Sequence, residues 1–304
     1  MNFRTTFNIP ASNHLLNFGD SVVLMGSCFS EHIGAKLKYY GFDTCINPFG
    51  TLFHPLAVAN LLTTEEKHPL RAVQRDGSWF TYESHSAVHA ASEDKLLTTF
   101  AERKNMLHQY LEKSKLLVIT LGTAWGYYLK GEIVANCHKM PSSHFEKNLT
   151  PLDEMHKVWS KILADLRHKH PHLEVLFTVS PVRHTKDGFI ENQWSKARLF
   201  ELIHTLNASY FPSYEIQMDD LRDYRFYEAD MIHPNQIAVD YIFERFAEHK
   251  IGTETSRYFP NIHKFRMFEA HQIKPFSQER YEEHQQELEL KRGQLLCQIP
   301  ELAL

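Results

Sequence analysis

The stretch V-V-L-M-G-S-C-F-S-E-H-I-G-A-K-L-K-Y-Y-G, residues 22–41, decides how this chain is read. Val22 to Met25 form an unbroken apolar run, the pattern of a strand buried on both faces of a parallel sheet, where a one-sided strand would alternate. Ile33, Leu37 and Tyr40 then recur at helical spacing. Ser30 and Glu31 stand where an N-cap and an acidic first turn belong, and Gly41 is placed to stop the helix. Between strand and helix, Gly26-Ser27-Cys28 brings a hydroxyl and a thiol to the carboxyl end of a strand and the amino end of a helix. Open α/β sheets bind ligands at such places, because free N–H groups and the positive end of the helix dipole meet there.

The same alternation continues outward. Residues 43–47 read as a second strand, 48–51 as a turn and 55–62 as a helix. Residues 79–82 read as a hairpin strand, while Ser84-His85-Ser86 has no assigned role. A long helix is expected over 93–113, burying Leu96, Leu97, Phe100, Met106, Leu107 and Tyr110. Leu116 to Leu121 is another buried strand, ending at Gly122-Thr-Ala-Trp125 and followed by a hairpin turning at Lys130-Gly131. Thr150-Pro151 is read as a cap opening a helix to about His168, and Leu173 to Val179 as a third apolar strand. A helix over 192–210, a last strand over 214–218 and a helix over 236–249 complete the pattern. This order predicts an α/β fold, a parallel sheet of about five strands with helices on both faces and a small hairpin excursion. The chain divides into residues 1–250 and a mainly helical extension, 251–304. The extension carries a polar helix over 277–294, expected to pack on the core or, in a homo-oligomer, on another copy.

The 304 residues suffice for one large α/β core with appendages, or two modest domains. A net charge of −4 without a basic stripe argues against a nucleic-acid partner. The N-terminal residues show no apolar signal region and no segment is long and apolar enough for a bilayer, so the expectation is a cytoplasmic protein with no membrane partner. Cys28, Cys45, Cys137 and Cys297 are widely spaced, with no C-x-x-C, which argues against a disulfide framework or structural zinc. Cys137-His138 has no second pair at ligand spacing, so no metal site is expected. Most histidines, such as His108, His168 and His170, read as surface residues.

Acyl transfer needs a nucleophile, a base, a carboxylate that orients the base, and donors for the developing oxyanion. Cys28 and Ser27, Gly122, and the loop holding Asp230 and His233 all fall at carboxyl ends of expected strands. The Asp230-x-x-His233 spacing, stopped by Pro234, lets the carboxylate reach Nδ1–H while Nε2 faces a nucleophile. His184 follows a strand and is placed to line the pocket. Arg222, Asp223 and Arg225 read as an ion-pair network fixing the loop. Trp125, Tyr127 and Tyr128 read as packing at the pocket edge, where a sugar or acyl group could stack. Plainer readings stand beside these: Cys28 as a small buried hydrophobe, Asp230 as a cap and His233 as a structural imidazole.

Gly26-Ser-Cys-Phe29 resembles the motif that names the GSCFA family, and its surroundings resemble the SGNH/GDSL hydrolase superfamily, whose fold is a flavodoxin-like α/β/α sandwich. The resemblance runs from about Val22 to Phe246 through Asn47-Pro-Phe-Gly50, Leu121-Gly-Thr-Ala-Trp125, Asn136-Cys-His138, Ser180-Pro-Val-Arg-His184 and Asp230-Met-Ile-His-Pro234. It implies that Cys28 stands at the nucleophile position, Ser27 at the preceding aspartate, and Asp230 with His233 at the D-x-x-H pair. Ser27 is the rival nucleophile, since a one-residue shift of the turn exchanges the two. A helix N-terminus and a nearby imidazole would both favour a Cys28 thiolate. Gly50 matches the second-block glycine that gives its N–H to the oxyanion hole. The third block reads Gly-x-Asn-Asp in the superfamily and Gly122-Thr-Ala124-Trp125 here, so a side-chain donor is missing; Asn136 or His138 is expected to fill the gap. The leading expectation is a hydrolase or acyltransferase on an ester or thioester, a carbohydrate or acyl ester included, that needs no cofactor. Ala124 favours the alternative, an inactive binding module for a carbohydrate or acyl ligand. A third reading is an interaction protein working through the charged C-terminal helix.

Overall fold

Each unbroken apolar run forms a strand of one parallel sheet in the computed structural model, which describes residues 4–63, 69–270 and 278–303. The chain runs β1 (Ser21–Gly26), α1 (Cys28–Tyr39), β2 (Asp43–Ile46), α2 (Pro55–Leu62), β3 (Ala72–Arg75), β4 (Ser78–Thr81), β5 (His89–Ala90), α3 (Glu93–Lys113) and β6 (Ser114–Leu121). It continues with β7 (Trp125–Leu129), β8 (Glu132–Val134), β9 (Glu146–Leu149), α4 (Leu152–Lys169), β10 (Glu174–Val179), α5 (Phe189–Thr205), β11 (Ser209–Tyr210) and the short α6 (Ser213–Glu215). Helices α7 (Gln236–Lys250), α8 (Thr253–Ser256), α9 (Phe259–Ala270) and α10 (Gln278–Gln298) follow.

The main sheet has the order β11-β10-β6-β1-β2, and its pairings are all parallel. This is the flavodoxin-like α/β/α sandwich that the resemblance implies. The chain leaves β1 toward β2 on one side and resumes at β6 on the other, so the switch point lies between β1 and β6, and the crevice outside their carboxyl ends is where such sheets bind ligands. The strands are apolar throughout because both faces are covered. Val23, Met25, Leu117 and Ile119 face a core with Val58, Leu107, Trp159 and Leu199, while Val22, Leu24, Leu116 and Val118 face one with Phe29, Ile33, Ile242 and Phe246.

Several expectations need correction. The N-cap of α1 is Ser27, not Ser30; Ser30 is buried and its Oγ donates to Thr120 Oγ1 (2.7 Å). On α3, Leu97 and Met106 are each 38% exposed, and Leu111 takes the inner position instead. Thr150 does not cap α4: Tyr128 Oη and His54 Nε2 lie 2.6 and 2.8 Å from its Oγ1. The helix expected over 192–210 is α5, ending at Thr205, and the last strand is Ser209–Tyr210 beside β10. Residues 213–220 are helical because Ser213 Oγ donates to Val179 O (2.8 Å), closing the strand before Tyr214. The hairpin excursion gains a third strand, β9, paired to β7. His108 is not a plain surface residue, since its Nε2 is buried.

The C-terminal helices pack on the core. Ile262, Phe265, Leu295, Ile299 and Leu302 cluster against Phe18 and Tyr40, and Tyr40 stacks on Phe259 with centroids 4.0 Å apart. Helix α10 begins at Gln278; Ser277, expected at its start, lies outside the described residues. Among the described residues no helix is long and apolar enough to cross a membrane.

His54 caps α2 with its ring, accepting from Leu56 N at Nδ1 (3.1 Å). Full burial pushes this imidazole from 6.5 down to about 3. An unfolded chain therefore binds a proton that the folded one refuses, so this part of the stability is complete above pH 6.5 and is lost as pH falls toward about 3. Urea midpoints measured across that window should fall more steeply for the natural chain than for His54→Asn, which keeps a capping side chain without the titrating ring.

Candidate active site

The turn after β1 is held from three sides. Gly26 N donates to Asn47 Oδ1 (2.9 Å), Gly26 O accepts from Leu52 N (2.8 Å), and Ser27 N donates to Thr120 O (3.0 Å). Ser27 is fully buried and its Oγ accepts from Phe29 N (3.3 Å), an N-cap contact. Cys28 is the first helical residue and is only part-buried. Burial pushes the Cys28 thiol above its ordinary value and the nearby Glu31 charge adds to this, while the Cys28 and Phe29 amides and Lys196 pull the other way. The expected net bias toward thiolate is therefore reversed. Glu31 is fixed there by Thr51 Oγ1 (2.8 Å) and Asn47 Nδ2 (3.2 Å), which donate to its Oε1.

Asp230 and His233 are joined as their spacing suggested. His233 Nδ1 lies 2.6 Å from Asp230 Oδ2, and Asp230 Oδ1 accepts from Ile232 N (2.8 Å) and His233 N (3.0 Å). The His233 amide, its ring and the Ile232 amide together hold the Asp230 carboxyl down to about 2. The loop closes on itself through Glu228 N to His233 O (2.8 Å) and is tied to the segment after β10 through Arg183 N to Ile232 O (3.3 Å). His233 bears electrostatically on His32, one turn beyond Cys28 on the same face of α1, and on His184. Neither Ser27 nor Cys28 hydrogen-bonds to His233; such contacts are often loose before substrate binds.

Gly122 and His184 meet at the strand edge. The His184 ring stands edge-on to Phe53 with centroids 5.3 Å apart, and a Cβ on Gly122 would sit 3.0 Å from His184 Nε2. That nitrogen is buried without a hydrogen-bond partner among the described residues, and burial, with Lys196 and His233, pushes the ring down to about 3. The neutral form is thus the one this site holds.

Of the expected oxyanion donors, the Gly50 and Gly122 amides are already paired. Gly50 N donates to Asn47 O (2.7 Å), Gly122 N and Thr123 N both donate to Phe53 O, and Ala124 N donates to Ser195 Oγ (2.7 Å). Asn136 Oδ1 accepts from His138 N (2.7 Å). The His138 ring lies against Phe80, with Nε2 2.8 Å from Thr81 O and Nδ1 3.1 Å from Ser86 Oγ, so this ring is engaged with the small β3–β5 sheet. Ser84-His85-Ser86 acquires a role there: His85 N donates to Phe49 O (2.9 Å) and its side chain packs on Gly50. Lys147 Nζ lies 5.6 Å from the ring centres of Trp125 and Tyr127, and Tyr128 is buried, in line with packing. Arg222 and Arg225 pair separately with Asp219 and Asp223 on the surface, not as one network.

Lys196 was not legible as part of this region. It is 1% exposed on α5, and its Nζ donates to Gly122 O (2.9 Å) and Ser180 O (2.8 Å), the first carbonyls beyond β6 and β10. A signal existed: Asn192, Ser195 and Lys196 occupy the same buried helical stripe as Leu199, Leu202 and Ile203.

The sequence model of the GSCFA family matches residues 21–246. No curated protein matches the chain. Among solved structures, the chain is similar to the periplasmic domain of a lipopolysaccharide acetyltransferase from Salmonella ser. Paratyphi A, at 8% identity and TM-score 0.37, with 77% of this chain and 84% of that one covered. It is similar to a family two carbohydrate esterase from Clostridium thermocellum, solved in complex with cellohexaose, at 9% identity and TM-score 0.37, with 83% and 67% covered. A protein from Parabacteroides merdae ATCC 43184, described as a GDSL-like lipase, is similar at 10% identity and TM-score 0.36, with 79% and 98% covered.

Proposed function

The chain belongs to the GSCFA family, and from that premise we propose that it is an acyl hydrolase or acyltransferase that takes an ester or thioester through Cys28, His233 and Asp230. The observation that carries this reading is the Asp230–His233 hydrogen bond, formed on a loop that bears on the helix face carrying Cys28 and His32. With Nδ1 committed to the carboxylate, His233 Nε2 is the nitrogen left to take a proton. Cys28 Sγ attacks the carbonyl carbon as its proton passes to Nε2. The tetrahedral intermediate expels the alcohol or thiol, which takes that proton back, and leaves an acyl thioester on Cys28. Water or an acceptor hydroxyl then attacks the thioester with His233 as base. Ser27 serves as the cap, since its Oγ is enclosed and engaged. The Cys28 amide, first in its helix and without an intrahelical acceptor, is a donor open to the oxyanion, with the Asn136 side-chain amide as a further one.

The test is a panel of short-chain p-nitrophenyl esters and acyl thioesters, with Cys28→Ala as the background. Turnover above that background supports the reading; a rate equal to it overturns it. A second reading has its own support: the amides of Gly50, Gly122, Thr123 and Ala124 are all paired, which suits a fold that binds without turnover. A sugar or acyl ligand that raises the melting temperature and is recovered intact would favour that binding module.

A further inference from the structure

Lys196 presents a charge problem that the chemistry above leaves unused. Its ammonium is enclosed by Gly122 O, Ser180 O and the face of Tyr214, whose centroid lies 5.4 Å from Nζ. No carboxylate pairs with it among the described residues, whereas the equally buried Lys250 has Glu174 at 2.5 Å. Two carbonyls satisfy N–H groups but do not neutralise a cation, and burying one uncompensated is unfavourable. The cost is set at one place, the carboxyl ends of β6 and β10. Residue Ser27 is itself bonded to Thr120 O on β6, two residues before Gly122, so the ammonium lies next to the turn that presents Cys28.

We propose that Lys196 is a positioning residue whose charge, held by the two carbonyls beside the Gly26–Cys28 turn, stabilises the Cys28 thiolate as it forms. This rests on reading Cys28 as the nucleophile. The thiol proton still leaves to His233 Nε2; Lys196 forms no bond to sulfur and gives up no atom, and the electron pair freed on Sγ meets a cation in place of a neutral wall. Among the described residues, few charged groups act on each partner. Cys28 faces Glu31 from its own helix, which opposes ionisation, and Lys196 from α5, which favours it. Lys196 faces Cys28, which stabilises the ammonium, along with the Tyr214 ring and the neutral His184. Burial pulls Lys196 down and a charge on Cys28 pulls it back up, leaving it at about 7, so the ammonium and the thiolate support each other.

Alkylation of Cys28 by iodoacetamide, followed across pH by peptide mapping so that Cys45, Cys137 and Cys297 are scored apart, tests the pairing without requiring ester turnover. In Lys196→Gln, which keeps a donor for the carbonyls but no charge, and in Lys196→Met, the midpoint of the Cys28 curve should move up by about one pH unit. Below the midpoint that is roughly a tenfold slower reaction. Lys196→Arg should keep the natural midpoint. An unchanged midpoint in a folded neutral variant overturns the proposal. Should neither neutral variant fold, the natural chain decides: a coupled pair stretches the curve beyond a one-proton rise, and a simple one-proton rise overturns the pairing. A chain that hydrolyses no ester can still show the shift, and an active one can lack it.

Discussion

Asp230→Asn should leave the fold in place and reduce turnover by about four orders of magnitude, the loss seen when a triad carboxylate becomes an amide. The carboxylate does two separable jobs. Its Oδ1 accepts the Ile232 and His233 amides, which shapes the loop, and an asparagine oxygen can keep those bonds. Its Oδ2 takes the proton of His233 Nδ1, and there an amide NH₂ would face the ring with hydrogens of its own. The ring must then turn its bare nitrogen to residue 230 and carry its proton on Nε2, where it has nothing to accept a thiol proton with. Because the carboxyl is held down to about 2, it remains charged across any practical assay range, so neither its ionisation nor that of the amide confounds the comparison. Measuring kcat/KM on the best ester of the panel, with the melting temperature as a fold control, checks this. A variant within tenfold of the natural chain would leave Asp230 as a loop-shaping residue only.

The parts of this architecture that were legible share one property: their evidence is local. Val22 to Met25, Leu116 to Leu121 and Leu173 to Val179 are apolar because the sheet is covered on both sides, and that cause leaves its mark within six residues. The Asp230–His233 contact spans three residues, so spacing could suggest it. What stayed hidden depends on contacts between distant segments. Glu31 reads as a favourable first-turn charge, yet Asn47 and Thr51 hold it beside Cys28, where it opposes the thiolate. Gly50 looks like an oxyanion donor until the turn directs its N–H back to Asn47 O. Tyr214 to Met218 alternates like a strand, and only the Ser213 bond to Val179 shows that the sheet has already ended. Lys196 sits on an ordinary helix, and its partners lie 74 and 16 residues away.

Gly26→Ala should be far more damaging than Gly77→Ala, and the reason is contact more than conformation. Gly26 ends β1 at φ 131°, where a Cβ would sit 2.1 Å from Thr120 O, 2.8 Å from Thr120 C and 2.9 Å from Thr120 N. These are backbone atoms of the neighbouring strand, and Thr120 O already accepts from Ser27 N, so neither side can yield without parting β1 from β6. Gly77 supplies the control: it also has positive φ, at 77°, but a Cβ there meets nothing within 4 Å among the described residues. Gly77→Ala should therefore cost only the conformational part, about 1–2 kcal/mol. Gly26→Ala adds overpacking at a site that cannot relax, and should cost about 3–5 kcal/mol in all. Against a typical stability of about 5–15 kcal/mol, that is enough to deplete the folded form. Urea midpoints of the two variants, compared at one temperature, separate the two contributions. Equal losses at both positions would mean that β1 and β6 do not meet as closely as the turn requires, and the placement of Cys28 that depends on that approach would fall with it.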